Sequence, residues 1–265
     1  MGWLEVIVAH KWREIAWAKE HVPAAWLAQQ AEAAPAPRPF AHALRAVTTP
    51  RIIAEVKRAS PSRGVLRQDA TTLTWDGVQL ARDYAAGGAA ALSVLTDIRF
   101  FWGAPDLVAR CHAATDLPVL RKEFVLDPYQ VDESRWLGAD AVLLIARLLD
   151  RATLAVCAAR ARELGMDALV EVHDATELEV ALAVEGALVG VNHRDLDTGA
   201  IDRDLALRLR PRVPDDRVMV AESGLRNAAD LSRLWRAGIG AFLIGETLAA
   251  SAEPQRVLAE LLDVR

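Results

Sequence analysis

Eight short apolar segments, separated by longer helical patterns, constrain what this chain can fold into. They begin at residues 52, 90, 118, 140, 168, 187, 217 and 241, and the first is apolar on both faces over most of its length. Strands covered on both faces are typical of parallel sheets, in which a helix connects each strand to the next. Eight such units close into a barrel. The sequence therefore predicts an α/β fold, a single (β/α)8 TIM barrel.

Glycines mark the boundaries between these segments and the preceding helical patterns. Five of them lie one to three residues ahead of a segment, where a helix C-cap belongs: Gly88, Gly138, Gly165, Gly186 and Gly238. An open doubly wound sheet is the alternative fold. It is disfavoured because residues 59–64, after the first segment, form a polar turn and not a glycine-rich dinucleotide fingerprint.

The first 50 residues lie outside this repeat. Helical spacing over residues 3–18 predicts an amphipathic helix with Leu4, Ile7, Val8, Lys11, Trp12 and Ile15 on one face. A stiff linker with Pro35, Pro37 and Pro39 follows, and then a short helix over residues 40–47. We predict a helical extension over residues 1–50 that covers part of a catalytic barrel over residues 51–265, within one domain.

Composition narrows the classes of partner. The 265 residues are 52% hydrophobic, which suits one large core, and the net charge is −5. Nucleic acid is excluded as a partner because binders of the phosphate backbone usually carry a basic face. We expect a small phosphorylated molecule as the ligand and a monomer as the state of the protein, with weak homo-oligomerisation as the alternative.

The cysteines and the apolar segments indicate the compartment. Cys111 and Cys157 form no disulfide framework or CxxC motif, as expected in a reducing compartment. The first residues include Glu5, Lys11 and Arg13 where a signal peptide needs an apolar run, and no later segment has the length of a membrane span. We predict a cytoplasmic protein with no membrane partner.

Lysine is scarce in this chain. Of 31 basic residues only four are lysines, namely Lys11, Lys19, Lys57 and Lys122. Lys57 and Lys122 both end predicted strands. An amine can give up a proton or form an imine, which a guanidinium cannot do, so these two lysines are candidates for chemistry. Chance retention is the alternative.

Charged and polar residues follow the predicted strands where a TIM barrel places its chemistry. They are Glu55, Lys57, Lys122, Glu171, Asn192, Arg194, Glu222 and Ser223. Strand alternation puts Lys122 on the face of Leu120, and Glu171 on the face of Leu169. Lysines and glutamates that converge on one mouth shift one another's pKa values, as acid–base catalysis requires. For a single residue, an ordinary ion pair is the alternative.

Two glycine-containing turns favour a phosphate ester as ligand. Ser223 and Gly224 follow the seventh segment, and Gly245 and Glu246 follow the eighth. In this fold these two loops often build a phosphate site, and Arg194 can add positive charge. A plain turn is the alternative for a lone Ser-Gly pair.

Aromatic residues after the second and third segments predict an apolar wall at the same mouth. They are Phe100, Phe101, Trp102 and Phe124, and packing under loops is their alternative role. His173 and His193 lack the spacing of metal ligands, so we assign them to packing or to the surface and expect chemistry without metal or cofactor.

The residues resemble those of the indole-3-glycerol phosphate synthase family. The matching strings, in order along the predicted strands, are IIAEVKRASPSRG, SVLTD, LPVLRKEFVLDPYQV, GADAVLLI, LVEVH, GVNHRDL, VAESG and FLIGETL. The resemblance extends over nearly the whole chain. It implies a lyase of tryptophan biosynthesis that converts 1-(2-carboxyphenylamino)-1-deoxyribulose 5-phosphate into indole-3-glycerol phosphate, carbon dioxide and water without a cofactor.

The resemblance also implies a role for each site residue. Lys122 is the general acid toward the substrate carbonyl, and Glu171 handles protons in the later dehydration. Lys57 lies near the substrate carboxylate, and Glu55 orients Lys57. The other implied contacts are Asn192, Arg194 and Glu222 with the sugar or intermediate, Ser60, Ser223, Gly224, Gly245 and Glu246 around the phosphate, and Phe101, Phe124, Leu143 and Leu196 around the anthranilate ring.

The acid role carries an expectation for the pKa of Lys122. Burial and neighbouring cations lower the pKa of an ammonium, and we expect that effect at Lys122. Which of the two lysines donates which proton stays open at this point.

Departures from the family's pattern lie beside the site. His193 stands where asparagine is common, and Trp102 and residues 98–99 are unusual in the second loop. These changes affect the expected rate more than the expected reaction. Two alternative functions are a Schiff-base aldolase, with an imine on Lys57 or Lys122, and a phosphate-binding barrel that has lost catalysis.

Overall fold

A closed barrel of eight parallel strands forms the centre of the computed structural model, which describes residues 2–45, 48–61, 63–66 and 75–264. The strands are β1 (Arg51–Val56), β2 (Ala91–Leu95), β3 (Val119–Lys122), β4 (Ala141–Ile145), β5 (Asp167–Val172), β6 (Leu188–Asn192), β7 (Met219–Glu222) and β8 (Ala241–Ile244). Neighbours in the barrel are neighbours in the chain, and β8 pairs with β1 to close it. The predicted TIM barrel is confirmed, and the open-sheet alternative is wrong.

Helices precede the barrel, connect its strands and follow its last strand. They are α1 (Trp3–His21), α2 (Ala24–Ala33), α3 (Phe40–Ala43), α4 (Gly77–Ala86), α5 (Ile98–Phe101), α6 (Leu107–Ala114), α7 (Pro128–Trp136), α8 (Arg151–Glu163), α9 (Ala175–Leu182), α10 (Leu205–Leu209), α11 (Ala228–Arg236), α12 (Glu246–Ala249) and α13 (Pro254–Leu262). Short 3-10 turns lie at Ala146–Leu148 and Arg210–Arg212, and a hairpin of Ala59–Ser60 and Gly64–Val65 follows β1. No helix in the described ranges is long and apolar enough to span a bilayer.

Four of the five glycines predicted to end helices do so, whereas Gly186 lies three residues beyond Ala183, the C-cap residue of α9. Gly88, Gly138, Gly165 and Gly238 directly follow the C-cap residues of α4, α7, α8 and α11, and each has a positive φ between 74° and 91°. Side chains rarely adopt this left-handed region, so glycine is favoured at these positions.

Two apolar layers pack on the two faces of the strands. Outward-facing residues such as Leu92 and Val142 pack against the surrounding helices, and inward-facing residues such as Leu120, Leu143 and Leu169 fill the barrel. Successive inward positions are two residues apart. The column that contains Leu120 therefore continues into Lys122 at the end of β3.

Helix α3 closes the N-terminal end of the barrel. The side chain of Phe40 is fully buried in the inner layer. The backbone N–H of Ala41 donates to Asp167 Oδ2 at 2.7 Å, and that of Arg38 donates to Asp140 Oδ1 at 2.8 Å. Because both aspartates lie where β4 and β5 begin, these bonds hold the extension across the end of the barrel opposite the catalytic face.

The structure corrects three details of the extension. Helix α2 was not predicted, because its alanine-rich sequence has weak periodicity. Trp12 is 47% exposed, since α1 contacts the barrel through the narrow stripe of Leu4, Ile7, Lys11 and Ile15. The helix predicted over residues 40–47 ends at Ala43, and residues 46 and 47 lie outside the described ranges.

Replacing Phe40 with alanine tests the role of α3. We expect Phe40→Ala to lower the free energy of unfolding by about 3–5 kcal/mol, because it empties a fully buried aromatic site. Urea unfolding measures the loss. As a control, Val156→Ala removes methyl groups from an exposed site on α8 and should change stability by about 0.5 kcal/mol or less. Equal effects of the two substitutions would contradict the role of α3 in closing the N-terminal end of the barrel.

Candidate active site

The carboxyl ends of all eight strands open onto one cavity of about 780 Å³. Every residue to which the sequence analysis assigned a catalytic, substrate-binding or phosphate-binding role lines this cavity, whereas two residues of the predicted aromatic wall do not. The four charged residues expected to converge, Glu55, Lys57, Lys122 and Glu171, lie together in it. Eight segments that are far apart in the sequence thus supply one enclosed set of side chains.

An ion-pair cluster centred on Lys122 occupies the floor of the cavity. Lys122 Nζ lies 2.8 Å from Glu171 Oε2 and 3.1 Å from Glu222 Oε2. Asn192 Nδ2 donates to the other oxygen of Glu171 at 3.1 Å. Both glutamates are buried, at 1% exposure. The ammonium therefore bridges two carboxylates that would otherwise repel each other in a medium of low dielectric.

Lys122 holds its proton more tightly than the sequence analysis expected. Burial lowers the pKa of its ammonium, but the carboxylates of Glu171, Glu222 and Glu55 raise it well above the ordinary range. The expectation of a lowered pKa is wrong, because carboxylates and not cations surround this amine.

The two glutamates beside Lys122 titrate in opposite directions. Burial raises the pKa of Glu171, but Lys122 and His173 outweigh it and hold that pKa below the usual range. For Glu222 burial dominates and repulsion from Glu171 adds to it, so its pKa rises to about 7 despite Lys122. Close to neutral pH, Glu171 is thus ionised while Glu222 lies near its midpoint.

His173 lies next to the carboxylate of Glu171. The sequence analysis missed this contact, because it assigned His173 to packing or to the surface. Its Nε2 lies 3.4 Å from Glu171 Oε1, and its Nδ1 lies 3.1 Å from Glu177 Oε2. Burial lowers the pKa of His173, but the two carboxylates raise it to about 9. The missed signal was strand alternation, since residues 171 and 173 share one face. The described residues contain no group of three or more acidic, His or Cys side chains that could hold a metal ion.

A second ion pair lies at the end of β1. Lys57 Nζ lies 2.8 Å from Glu55 Oε1, so the two residues that share a strand face also contact each other. A methyl group at Gly245 would lie only 2.2 Å from the same carboxylate oxygen. Glycine at this position therefore lets β8 approach Glu55 closely.

The loops after β7 and β8 lie side by side at one edge of the cavity. Ser223 and Gly224 both have positive φ, of 65° and 73°. His193 Nδ1 lies 3.0 Å from the carbonyl oxygen of Ser223, so this buried histidine also has a partner and is not on the surface. This contact of the His193 side chain stabilises Ser223 in a backbone conformation that residues other than glycine seldom adopt.

Positive charge reaches this edge from two arginines. Arg194 Nη2 donates to Glu246 Oε1 at 2.9 Å, and Arg63 Nε lies 3.4 Å from Glu246 Oε2. All three residues line the cavity. The sequence analysis named Arg194 and Glu246 but missed Arg63, because it lies in a turn with no periodic pattern.

Only two of the four predicted aromatic residues form the wall. Phe101 and Phe124 line the cavity with ring centroids 6.0 Å apart. Phe100 instead makes edge contacts with Trp3 and His10 of α1. Trp102 is 47% exposed and has a positive φ of 54°, which turns it out of the loop. The prediction for Phe100 and Trp102 is wrong, and Trp102 does not line the cavity.

Comparison with known proteins identifies the family. The family model for indole-3-glycerol phosphate synthase matches residues 4–261. A relative named indole-3-glycerol phosphate synthase, from Albidiferax ferrireducens, is 46% identical over 261 residues, which cover 97% of each protein. The chain belongs to the indole-3-glycerol phosphate synthase family. It is a carboxy-lyase of tryptophan biosynthesis, as the resemblance in sequence implied.

Solved structures of lower identity share the fold of this synthase. The chain matches 3-hexulose-6-phosphate synthase from Salmonella typhimurium with a TM-score of 0.63 at 12% identity, over 80% of this chain and 96% of that one. It matches thiamine phosphate pyrophosphorylase from Pyrococcus furiosus with a TM-score of 0.57 at 14% identity, over 80% and 93% of the two chains. At such identities the likeness concerns the barrel alone.

The raised pKa of Glu222 in the synthase predicts a pH-dependent stability. A carboxyl group that binds its proton more tightly in the folded state stabilises the fold fully below pH 4.5, and that contribution is lost as the pH rises to about 7. Glu222→Gln is neutral at every pH. We therefore expect the stability of this variant, relative to the wild type, to increase between pH 5 and pH 8 in urea unfolding.

The control for this measurement is Glu185→Gln, which changes an exposed glutamate. Its stability relative to the wild type should stay constant over the same range. A relative stability of Glu222→Gln that falls with rising pH would contradict the assigned direction of the pKa shift.

Proposed function

We propose that Lys122 and Glu171 carry out the proton transfers of the synthase reaction. In this reaction the ring carbon that bears the carboxylate attacks the sugar carbonyl, carbon dioxide leaves, and loss of water forms the indole. The observation that supports the proposal is the contact of 2.8 Å between Lys122 Nζ and Glu171 Oε2 inside one cavity. A protonated amine and an ionised carboxylate thus lie within reach of the same substrate atoms.

Lys122 is the general acid of the first step. Neighbouring carboxylates raise its pKa, so the amine is fully protonated at neutral pH. As the ring carbon attacks, the carbonyl oxygen becomes an alkoxide, which is far more basic than the amine and takes the proton from Lys122. The carbon–carbon bond to the carboxylate then breaks, and its electron pair restores the aromatic ring.

Glu171 is the general base of the dehydration. Its lowered pKa keeps it ionised, so it can accept the proton from the carbon beside the nitrogen as the carbon–oxygen bond breaks and pass that proton to the departing hydroxide, which leaves as water. Asn192 donates to Glu171 Oε1, and His173 lies beside the same oxygen. These two contacts leave Glu171 Oε2 facing the ammonium, and Asn192 can also contact the sugar hydroxyls.

The other charged residues of the cavity bind the substrate carboxylate and the intermediate. Lys57 binds it before it departs as carbon dioxide, and Glu55 orients Lys57 through their 2.8 Å contact. Glu222 binds the intermediate and balances the charge of Lys122. With its pKa near 7, Glu222 can take up a proton when an anionic substrate enters the cavity.

The two ends of the substrate occupy the two edges of the cavity. Ser223, Gly224, Gly245 and Glu246 bind the phosphate, with Ser60 beside them and the guanidinium groups of Arg194 and Arg63 adding charge. Phe101, Phe124, Leu143 and Leu196 enclose the aromatic ring. Fixing both ends of one molecule holds the ring carbon near the carbonyl, which supplies much of the rate enhancement in a cyclisation.

We propose further that the synthase acts as a cytoplasmic monomer with a single domain. One chain supplies the full set of site residues, so the site needs no second copy. Both cysteines are free and buried, which fits a reducing compartment. The extension over residues 1–50 contacts both ends of the barrel over residues 51–265, which argues for one cooperative unit.

Variants of the two proposed proton-transfer residues test the mechanism. We expect Lys122→Met and Glu171→Gln each to lower kcat by about 10²–10⁴-fold, the usual contribution of a general acid or base. Indole fluorescence during incubation with the carboxyphenylamino sugar phosphate measures the rate. Lys19→Met, on the outer surface of α1, is the control and should keep full activity.

Two outcomes would contradict the assignment. One is a rate near that of the wild type in Lys122→Met. The other is a substrate-dependent covalent adduct on Lys122 after borohydride treatment, because a general acid forms no imine.

Ser223→Gly tests the phosphate site without straining the backbone. Glycine tolerates the positive φ at this position, and the substitution removes only the hydroxymethyl group. We expect KM to rise about tenfold, because a hydrogen bond to a charged group contributes ~1.5–3 kcal/mol. Substrate without its phosphate is the control and should be turned over equally by both proteins. An unchanged KM for the phosphorylated substrate would remove Ser223 from the site.

A further inference from the structure

A buried ammonium of the N-terminal extension lies beside the active site. Lys11 of α1 is only 3% exposed. Its Nζ lies 2.7 Å from Glu14 Oε2, 2.7 Å from Asp97 Oδ2 and 3.0 Å from Glu123 Oε1. Glu14 belongs to the same helix, but the other two partners follow β2 and β3. One side chain therefore connects the extension to two loops of the catalytic face.

Both loop carboxylates also hold the backbone of the aromatic wall. Asp97 Oδ1 accepts hydrogen bonds from the N–H groups of Phe100 at 2.6 Å and Phe101 at 3.0 Å. Glu123 Oε1 accepts one from the N–H of Phe124 at 2.9 Å. Each carboxylate thus contacts Lys11 and fixes the main chain of an aromatic residue that lines the cavity.

Removing the ammonium would leave these carboxylates without their shared cation. Asp97 and Glu123 are 1% and 5% exposed. Two buried carboxylates that both contact one cation repel each other when it is lost, because water cannot screen them. Their separation would move the two attached aromatic residues apart. We therefore expect the distance between the Phe101 and Phe124 rings, 6.0 Å with Lys11 in place, to change when Lys11 is removed.

We propose that Lys11 is a positioning residue that fixes Phe101 and Phe124 against the aromatic ring of the substrate. The proposal rests on the function proposed above for these two phenylalanines. It makes the extension a part of the active-site support and not only a cover for the barrel.

The same helix offers a matched control. Lys19 lies two turns further along α1, and its Nζ pairs with Asp127 Oδ2 at 2.7 Å. Asp127 caps α7 in the way that Asp97 caps α5, by accepting a hydrogen bond from a backbone N–H. Neither Lys19 nor Asp127 lines the cavity. Lys11→Met and Lys19→Met therefore each break a pair between α1 and a helix cap, and only the first reaches the aromatic wall.

Steady-state kinetics of the two variants test the proposal. We expect Lys11→Met to raise KM for the carboxyphenylamino sugar phosphate about tenfold and to lower kcat less, because the wall contacts the ring before and during ring closure. Competitive inhibition by inorganic phosphate, which occupies only the other edge, should keep its constant within about twofold. Lys19→Met should match the wild type, and Lys11→Arg, which keeps the cation, should restore most of the affinity.

The outcomes separate this inference from the proposed function. If KM stays within about twofold of the wild type in folded Lys11→Met, or if the phosphate constant changes as much as KM, the positioning role is wrong. If Lys11→Met does not fold, Lys11→Gln, which also removes the charge but keeps a hydrogen-bond donor for the two carboxylates, is measured in its place, with the same expectation. Activity in Lys122→Met would overturn the general-acid role and leave the result for Lys11 standing.

Discussion

The structure depends on placing more carboxylates than ammonium groups in one enclosed space. Glu55, Glu171 and Glu222 share the cavity with Lys57 and Lys122, and all three glutamates are at most 3% exposed. Ions in such a medium are costly unless each has a partner. Burial raises the pKa of Glu222, and repulsion from the carboxylates of Glu171 and Glu55 adds to that rise. The same three carboxylates keep Lys122 protonated and able to act as an acid.

The barrel makes this arrangement possible by fixing the backbone beneath each charge. A methyl group at Gly190 of β6 would come within 2.3 Å of Glu222 Oε1. Only a residue without a side chain therefore fits next to that carboxylate. Below it, the inner apolar layer and Phe40 exclude water from the other end. The polar chemistry is confined to one face because the opposite face is filled.

Local patterns in the sequence were enough to predict the strands and the main charges. Apolar segments bounded by glycine define the strands, and alternation places Lys122 and Glu171 inward, since both rules act within a few residues. Distances across the barrel have no such signal. The positions of Glu171 and Glu222, 2.8 and 3.1 Å from Lys122, depend on how β3 faces β5 and β7 across the barrel. These two carboxylates, with Glu55, raise the pKa of the lysine.

Loops and helix contacts were also beyond the reach of the sequence. Phe100, Phe101 and Trp102 are adjacent aromatic residues, and the sequence gives no reason to distinguish them. In the structure, the helix cap at Asp97 and the left-handed backbone at Trp102 orient their side chains differently. His173 is a different case, because the alternation that placed Glu171 also applied to it. The role of Lys11 required knowledge that α1 lies against the loops after β2 and β3.

Closure of the barrel between its first and last strands has a consequence for biosynthesis. Arg51 of β1 pairs with Ala241 of β8. One edge of β1 therefore stays unpaired until residues 241–244 have been synthesised. During that interval an apolar strand with unpaired N–H and C=O groups is exposed to other nascent chains. Expression yield should therefore depend on how well chaperones shield this edge until the ribosome releases the C-terminal residues.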